Sequence, residues 1–538
     1  MPRRRETAQN QGKAGEIFRG IAWGIFTQII IILHILIDKV LETVLEWYWK
    51  EKKTCSSLRE NFFVSKSATE IANLIRNGEL TSYQVVKAYI DRMREVNPQI
   101  NAVADGPFES ALAEAQQIDE RLEKGEVTAK EFSEKPFLGV PFTTKDSTAV
   151  EGALHTLGLI SRRTARATED AECVRLMREA GAVMIATTTV PEVNRWQETR
   201  NNVTGITNNP YDLRRTVGGS SGGEAAVISA CGSAFGIGTD IGGSIRMPAF
   251  YCGIYGHKPT SGLVNMRGCT FRTGKERSTM VVAGPMTRYA KDLLSIFKVL
   301  VGPKLTSTLE LNVKVNVKKL RYFYCSSIED LKVARVNGEM MGALRRAINH
   351  LDSVGERPCT QITIPHTEMA TKLWRYWMRK EPQGFDMLLG NGTQVNGVVE
   401  LVKKILGQSD FTLASIYSLL DGMLPAGNQA KLEGITRTII SHLKDLLGYD
   451  GVLLVPSAPS TAGFHYSALV QVYKFSYWSL FNSLHLPTTQ VPLGMDSKAL
   501  PLGLQIVAAP NCDRLCLAVA EELETALGGW TAPFTAAS

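Results

Sequence analysis

The sequence lacks the cysteine spacings that build disulfide frameworks and zinc sites. Its nine cysteines are scattered over 538 residues, and none forms a C-x-x-C pair. An odd number of cysteines without C-x-x-C pairs argues against a disulfide framework and against a zinc site. Cys512 and Cys516 lie one helical turn apart and are expected to pack in the core rather than to bind a metal.

A phosphate-binding loop and a nucleic-acid surface are missing as well. The phosphate-loop pattern G-x-x-x-x-G-K-[ST] needs serine or threonine after its lysine. Here Gly256, His257 and Lys258 are followed by Pro259. The net charge is +7, but no basic stripe with interleaved aromatic residues appears, so no nucleic-acid partner is expected. Anionic lipid headgroups are the favoured partner, since the basic excess is concentrated in Arg3, Arg4, Arg5, Lys13 and Arg19.

Long apolar runs are scarce, and the one candidate for a membrane span is Gly20–Ile37. About twenty apolar residues cross a bilayer, and Gln28 and His34 interrupt this run. Arginines precede it and an aromatic group, 47–49, follows it, as at a membrane boundary. Since no small-residue cleavage site is evident, we expect a retained single-pass anchor, with an interfacial or hairpin anchor as the alternative. The chain then divides into a disordered basic N-terminus (1–16), an anchor and juxtamembrane segment (17–53) and one large domain (54–538).

Two clusters rich in glycine and serine stand in the middle of the chain, at Gly218–Glu224 and Gly238–Pro248. Glycine lets the backbone approach a ligand closely, which indicates a site built from main-chain groups. Successive N–H groups over Ile241–Ser244 could converge on one oxygen, as in an oxyanion hole for acyl transfer. Ser244 ends this stretch and is the candidate nucleophile.

A serine nucleophile needs a base, and the residues by themselves leave that base open. His257 is the nearest histidine. Lys145 ends a stretch of strand type and could serve if burial kept it neutral; since strand side chains alternate, Asp146 would point away from it. The first cluster also fits the G-x-S-x-G elbow, with Ser221 as nucleophile of an α/β-hydrolase esterase, or a linker or phosphate-binding turn.

Helical and strand patterns alternate along the chain. Ser67 and Glu70 form a capping box that opens a short helix. Downstream of the strand that carries Lys145, a helix is predicted near Ala171–Ala180 and a strand over Val183–Thr187. This alternation predicts an α/β fold with a mixed sheet.

The two clusters, with Lys145 about 75 residues upstream of the first serine, resemble the amidase signature family. The resemblance runs from about Leu80 to the C-terminus. It implies one α/β domain in which helices surround a large twisted mixed β-sheet, and a Ser–cis-Ser–Lys triad that needs no metal and no cofactor. On this resemblance Ser244 is the nucleophile, Ser220 is the bridging serine after a cis peptide, and Lys145 is the base.

The other candidate residues are expected to support this triad. The resemblance gives Ser221 a place in the supporting network and leaves His257 without a catalytic role. Asp240 and Arg246 flank the nucleophile and are expected to be structural, bonding one another or the backbone. The oxyanion hole is expected from the backbone N–H groups of Ile241, Gly242, Gly243 and Ser244.

Within the family, the sequence is most similar to membrane-anchored members that hydrolyse fatty-acid amides. The residues that carry this similarity are Glu224, Met247–Phe250 and Gly253–Pro259. The implied substrates are primary fatty amides and N-acylethanolamines. The implied location is an intracellular membrane, the endoplasmic reticulum or a lipid droplet, and the family analogy extends to a possible homodimer.

Two stretches bear on the substrate pocket, and a third is expected to lie in the core. Val190–Thr204 should border the active site, although no pocket residue is assigned from it. Leu401–Leu424 (401–424) reads as two apolar helical pieces, either buried core or a membrane-facing cap that admits the acyl chain. Met369–Met378, which includes Trp374, is expected to pack in the core.

Other functions stay open. An amidase acting on small or non-lipid amides, such as the glutamine-hydrolysing subunit of a tRNA amidotransferase, would keep Ser244 and Lys145. An α/β-hydrolase esterase would use Ser221 instead. A non-catalytic lipid-binding protein would use none of them, and the occupied triad positions give it no support.

Overall fold

Strands account for the centre of the molecule. The computed structural model describes residues 28–58, 62–276, 279–328, 330, 332–425 and 427–534. Numbered in chain order, the strands of this part are β1 (Val103–Asp105), β2 (Pro141–Lys145), β3 (Val183–Thr188), β4 (Arg200–Asn201), β5 (Gly205–Ile206), β6 (Asn208–Asn209), β7 (Asp212–Thr216), β8 (Phe235–Asp240), β9 (Tyr255–Lys258), β10 (Val282–Thr287), β11 (Arg321–Tyr324), β12 (Thr360–Gln361), β13 (Gly451–Pro456), β14 (Thr488–Met495) and β15 (Pro501–Ala508).

Helices alternate with these strands. The first, α1, covers residues 28–49. The others are α2 (Ala68–Arg76), α3 (Ser82–Ile100), α4 (Ser110–Glu123), α5 (Ala129–Glu134), α6 (Glu172–Glu179), α7 (Gly222–Ser229), α8 (Arg246–Tyr251), α9 (Ala290–Thr308), α10 (Gly338–Val354), α11 (Ala370–Met378), α12 (Phe385–Leu389), α13 (Gly397–Ile405), α14 (Leu413–Met423), α15 (Gln429–Leu447), α16 (Ser476–Ser483) and α17 (Asp513–Leu527).

Eleven of the described strands form one mixed sheet, in the order β1-β3-β2-β8-β10-β9-β14-β15-β13-β11-β12. β2 runs parallel to β3 and β8, and β11 runs parallel to β12 and β13, whereas the other neighbours are antiparallel. Strands β2, β3, β8, β13 and β15 are buried along their whole length, as expected for a sheet with helices on both faces. The predicted α/β fold with a large mixed sheet surrounded by helices is confirmed.

The parallel pair β2 and β8 places the two halves of the candidate site side by side. Ligand sites in such sheets lie beyond the carboxyl ends of the strands. Lys145 is the last residue of β2, and Thr239 lies one residue before the end of β8. Helix α7 begins two residues after Ser220, and α8 begins two residues after Ser244. Both serines therefore lie in turns that lead from this region into a helix.

The N-terminal anchor predicted over Gly20–Ile37 falls only partly on the described residues, which begin at 28, and the basic segment 1–16 lies outside them. No helix in the described part of the chain is long and apolar enough to cross a membrane. Helix α1 lies against the domain, where Glu42 pairs with Arg215 at 2.7 Å and Trp49 stacks on Tyr466 with ring centroids 6.5 Å apart.

Candidate active site

Lys145 and Ser220 meet beyond the ends of β2 and β8. The Nζ of Lys145 lies 2.9 Å from the Oγ of Ser220 and 2.7 Å from the Oγ1 of Thr239. The peptide between Gly219 and Ser220 is cis, as the resemblance implied. A Cβ on Gly219 would lie 2.3 Å from the carbonyl oxygen of Trp196, so no larger residue fits before this serine. The structure thus brings together two of the three predicted triad residues and adds Thr239, which sequence reasoning missed.

Burial controls the protonation of Lys145, which is inaccessible to solvent. Removal from water lowers its pKa to about 7, while the negative charge of Asp240 opposes this shift, as do Cys269 and Glu224 when they are ionised. Burial likewise raises the pKa of Glu224 to about 7, and Thr188 donates to this carboxyl at 2.7 Å. A lysine with such a pKa is half neutral near pH 7 and can accept a proton from a hydroxyl group.

Asp146 points away from the lysine, as the strand alternation predicted. Its carboxylate accepts hydrogen bonds from the N–H of Thr156 at 2.8 Å and from the N–H of Gly158 at 3.3 Å. The lysine therefore has no ion-pair partner in the next residue that would hold it charged.

Ser244 lines the same cavity as Ser220 and Thr239 and is 8% exposed. Its carbonyl oxygen accepts a hydrogen bond from the N–H of Ser221 at 3.1 Å. This contact joins the two glycine-serine clusters and places Ser244 next to the residue that follows the candidate bridging serine.

Three of the four amides proposed for an oxyanion hole belong to residues that line the cavity, namely Ile241, Gly242 and Ser244. The N–H of Gly243 instead donates to Asp240 Oδ1 at 2.8 Å. The expectation that all four amides converge on one substrate oxygen therefore does not hold for Gly243 in this structure. Its φ of +112° and a Cβ position 2.4 Å from Trp478 require glycine there.

A fully buried ion pair holds this loop in place. Arg246 donates to the carboxylate of Asp240 from Nε at 3.0 Å and from Nη2 at 3.1 Å. The same guanidinium donates to Gln505 and Asn482, both at 2.7 Å, and Asp240 also accepts from the N–H of Ile245 at 3.1 Å. Buried charges are stable when paired and hydrogen-bonded in this way. The structural role expected for Asp240 and Arg246 is confirmed.

Ser221 and His257 do not form a second catalytic pair. Ser221 is fully buried, is absent from the described cavity lining, and donates from Oγ to the carbonyl of Thr239 at 3.4 Å. The ring nitrogens of His257 lie 2.8 Å from Thr489 Oγ1 and 3.2 Å from Asp513 Oδ1. The α/β-hydrolase esterase with Ser221 as nucleophile is therefore wrong, because Ser221 has neither a histidine base nor access to the cavity.

The cavity beside Ser244 has a volume of about 170 Å³. The stretch 193–197 borders it, as expected for part of Val190–Thr204. Its wall is rich in large aromatic residues, which are Trp196, Trp374, Phe385, Tyr417, Tyr473 and Phe475. Such a wall suits the apolar part of a ligand.

Trp374 corrects the expectation that Met369–Met378 packs only in the core. Leu373 is fully buried there, but Trp374 and Met378 line the cavity. The indole nitrogen of Trp374 donates to the carbonyl of Ile241 at 2.7 Å. A partly buried tryptophan needs such an acceptor, but Trp377 in the same stretch has the same requirement, so no signal in the sequence separated Trp374 from its neighbours.

The stretch 401–424 divides between core and surface. In α14, Ile416 and Leu419 are buried, and Tyr417 faces the cavity. In α13 Leu401 is half-buried, whereas Val402 and Ile405 are exposed. The stretch is thus neither wholly core nor wholly surface, and its α14 half forms part of the cavity wall.

Comparison with known proteins gives a consistent set of relatives. A family model described as amidase matches residues 84–517. Fatty-acid amide hydrolase 2 from Homo sapiens is 39% identical over 479 residues, which cover 87% of this chain and 90% of that protein. Fatty-acid amide hydrolase 2-A from Danio rerio is 40% identical over 478 residues, with the same two coverages. A solved structure described as fatty acid amide hydrolase has a TM-score of 0.69 at 23% identity, covering 87% of this chain and 86% of that one.

Proposed function

Because the chain belongs to the amidase signature family and is an amide hydrolase, we propose that it hydrolyses fatty-acid amides to a fatty acid and an amine. The substrates in this proposal are primary fatty amides and N-acylethanolamines. The observation that supports it most is the contact of Lys145 with Ser220. Ser220 and Ser244 line the same cavity, whose wall is rich in aromatic residues. The relatives named fatty-acid amide hydrolase 2 support the same substrate class.

The proposed acylation uses two serines and the lysine. Neutral Lys145 accepts the proton of Ser220, and Ser220 accepts the proton of Ser244 as its oxygen attacks the amide carbonyl. Backbone N–H groups of Ile241, Gly242 and Ser244 stabilise the negative oxygen that forms. The C–N bond then breaks, the leaving amine takes a proton from Ser220, and Ser220 recovers a proton from protonated Lys145. An acyl ester remains on Ser244, and the lysine is neutral again.

The proposed deacylation reverses these roles with water as the nucleophile. Water loses a proton through Ser220 towards Lys145 and attacks the ester carbonyl. The C–O bond to Ser244 breaks, the serine regains its proton, and the fatty acid leaves. No metal or cofactor takes part in either step of this proposal.

Membrane contact is part of the proposal, together with the intracellular membrane expected from the resemblance. Helix α13, the ends of α14 and the residue that follows each helix carry exposed apolar side chains, which we call the cap face: Val398, Val399, Val402, Ile405, Leu406, Leu413, Met423 and Leu424. Exposed apolar groups of this kind suit contact with the acyl region of a lipid surface. Because Tyr417 of α14 lines the cavity, this face would lie next to the route of an acyl chain.

The cap face can be tested by vesicle binding. The double variant Val402→Glu/Ile405→Glu should lose co-sedimentation with phosphatidylcholine–phosphatidylserine vesicles, because charged side chains are excluded from the lipid interior. Val313→Glu is the matched control, since Val313 is 54% exposed and Val402 is 52% exposed. Equal vesicle binding by the double variant and the control would remove the cap face from the proposal.

Substrate profiling tests the lipid part of the proposal. Oleamide, anandamide, glutamine and a short p-nitroanilide are offered to the purified full chain and to Ser244→Ala. We expect hydrolysis of both lipid amides, and its loss in the variant. Turnover of glutamine or the anilide alone would instead favour an amidase for small or non-lipid amides, with Ser244 retained as nucleophile.

A further inference from the structure

One arginine in the cavity has no partner of opposite charge. Arg195 lines the cavity, and among the described residues no carboxylate lies within ion-pair distance of it. The other two cavity arginines are paired, Arg272 with Glu381 at 2.7 Å and Arg375 with Asp421 at 2.9 Å. The proposed amide hydrolysis uses none of these groups, so the unpaired guanidinium needs its own explanation.

The backbone that carries Arg195 is firmly held. Val193 and Asn194 have φ angles of +51° and +59°, a left-handed conformation that is uncommon for such residues. The amide of Asn194 accepts from Ser147 Oγ at 3.0 Å and donates to Thr270 Oγ1 at 2.9 Å. The arginine is thus presented to the cavity by a fixed turn rather than by a mobile loop.

Aromatic rings hold the guanidinium itself. The Cζ of Arg195 lies 4.6 Å from the ring centroid of Phe385 and 5.6 Å from that of Trp374. Stacking of this kind fixes the plane of a guanidinium and leaves its N–H groups free to donate. Among the described residues, no side-chain hydrogen bond of Arg195 occupies these donors.

Charges of both signs surround Arg195. The groups that act on Arg195 are the carboxylates of Asp386 and Asp421 and the guanidinium groups of Arg375 and Arg379. Arg272, Glu276 and Glu381 also line the cavity, so Arg195 is distinguished by its lack of an ion pair within the described part of the chain rather than by the net charge around it. Burial, the main cause, lowers the pKa of Arg195 to about 10, so it keeps its charge near neutral pH.

The position of Arg195 relative to the reacting atoms restricts which anion it could meet. Trp374, on which it stacks, donates to the carbonyl of Ile241 at 2.7 Å, so a single indole separates the guanidinium from the oxyanion loop. The far end of a long acyl chain would extend well past this ring. A carboxylate on the amine part of the amide, by contrast, lies only a few bonds from the carbonyl carbon.

Resting on the proposed function, we propose that Arg195 binds a carboxylate carried by the amine part of the substrate. The enzyme then takes fatty acyl conjugates of amino acids and releases a fatty acid and an amino acid. Arg195 is the residue that favours these acidic amides over neutral ones. A guanidinium donates two parallel hydrogen bonds to a carboxylate, and a neutral ethanolamine group leaves this charge unpaired.

The test compares two amides with the same acyl chain, N-oleoylglycine and N-oleoylethanolamine. Arg195→Gln should lower the ratio of their kcat/KM values, glycine conjugate over ethanolamide, by about 10- to 100-fold, as expected for the loss of a charged hydrogen bond. The loss should lie mainly in KM, and Arg195→Lys should restore part of it. Arg200→Gln is the matched control, because Arg200 also lies over an aromatic ring, Tyr466 at 4.4 Å, but is absent from the described cavity lining.

Two further measurements keep the outcomes distinct. Affinity for N-oleoylglycine is measured in Ser244→Ala, with and without Arg195→Gln, and should fall with the second change. A long-chain dicarboxylic acid monoamide carries its carboxylate on the acyl side, and a greater dependence of this substrate on Arg195 would overturn the placement on the amine side. A parallel loss with both oleoyl amides, or no loss, would overturn the role of Arg195 while the proposed function stands. If the wild-type chain hydrolyses neither N-oleoylglycine nor N-oleoylethanolamine, the role of Arg195 and the proposed function are both overturned.

Discussion

Lys145 and Lys258 are both fully buried, and burial lowers the pKa of each to about 7. They differ in their partners. The Nζ of Lys145 contacts Ser220 at 2.9 Å, whereas that of Lys258 donates to the carbonyl of Pro259 at 2.9 Å. Of the two, only Lys145 contacts a serine of the cavity. Lys258 can therefore serve as the control when Lys145 is tested as the base.

The pH dependence of hydrolysis should follow Lys145. Below pH 7 the lysine is protonated and cannot accept a proton, so kcat/KM should fall about tenfold per pH unit on the acid side and reach a plateau above pH 8. Lys145→Met should lower kcat by roughly 10²- to 10⁴-fold. In Lys258→Met the fall of kcat/KM on the acid side, here called the acid limb, should stay near pH 7. A wild-type profile that is flat between pH 5 and pH 8 would contradict this assignment.

Glu224 should contribute to the pH at which hydrolysis falls, although Asp240 is the largest charge that opposes the shift of Lys145. Its negative charge raises the pKa of Lys145, so Glu224→Gln should shift the acid limb to lower pH, by roughly one unit. Glu198→Gln is the control, because burial also raises the pKa of Glu198 to about 7 while its carboxylate accepts from the N–H of Tyr466 at 3.1 Å. If the pH at which kcat/KM falls moved upwards, or moved equally in Glu198→Gln, Glu224 would not raise the pKa of Lys145 as described.

Asp240 should matter for stability as well as for the loop. Asp240→Asn leaves the buried guanidinium of Arg246 without its countercharge, which costs about 3–5 kcal/mol in typical buried pairs. Urea unfolding followed by tryptophan fluorescence should show the midpoint falling accordingly. Asp91→Asn breaks an exposed pair with Lys87 and should leave the midpoint unchanged. Similar midpoints for the two variants would argue against a stabilising role for the buried pair.

Trp374 should affect catalysis through the oxyanion loop. Trp374→Phe removes the donor to the carbonyl of Ile241 but keeps an aromatic ring, and one hydrogen bond of about 1 kcal/mol corresponds to roughly a fivefold loss in kcat. Trp377→Phe on the same helix removes a donor to Thr436, at 3.1 Å, and is the control. Steady-state kinetics with an equal loss in both variants would place the effect in the stability of α11 rather than in the loop.

Local patterns predicted much of the fold. The capping box predicted at Ser67 forms and opens α2. The strand predicted over Val183–Thr187 forms as β3, which is one residue longer. These features depend on residues close in sequence, where capping and apolar periodicity decide the outcome. The candidate triad required more, since its motif was recognised through the family resemblance rather than through spacing.

Features that depend on tertiary contacts could not be predicted. The contact of Thr239 with Lys145 follows from the pairing of β2 with β8, which joins residues 94 positions apart. The engagement of the Gly243 N–H by Asp240 depends on the path of one turn. Trp374 lines the cavity because of where α11 lies relative to that turn, and helical periodicity shows only that it is on an apolar face.

The most direct test of the account identifies the serine that reacts. The purified chain is treated with a fluorophosphonate, which bonds covalently to an activated serine, and the labelled peptide is identified by mass spectrometry. The account predicts a label on Ser244 that forms much more slowly in Lys145→Met and is absent in Ser244→Ala. A label on Ser221, or one on Ser244 that forms at the same rate without Lys145, would contradict it.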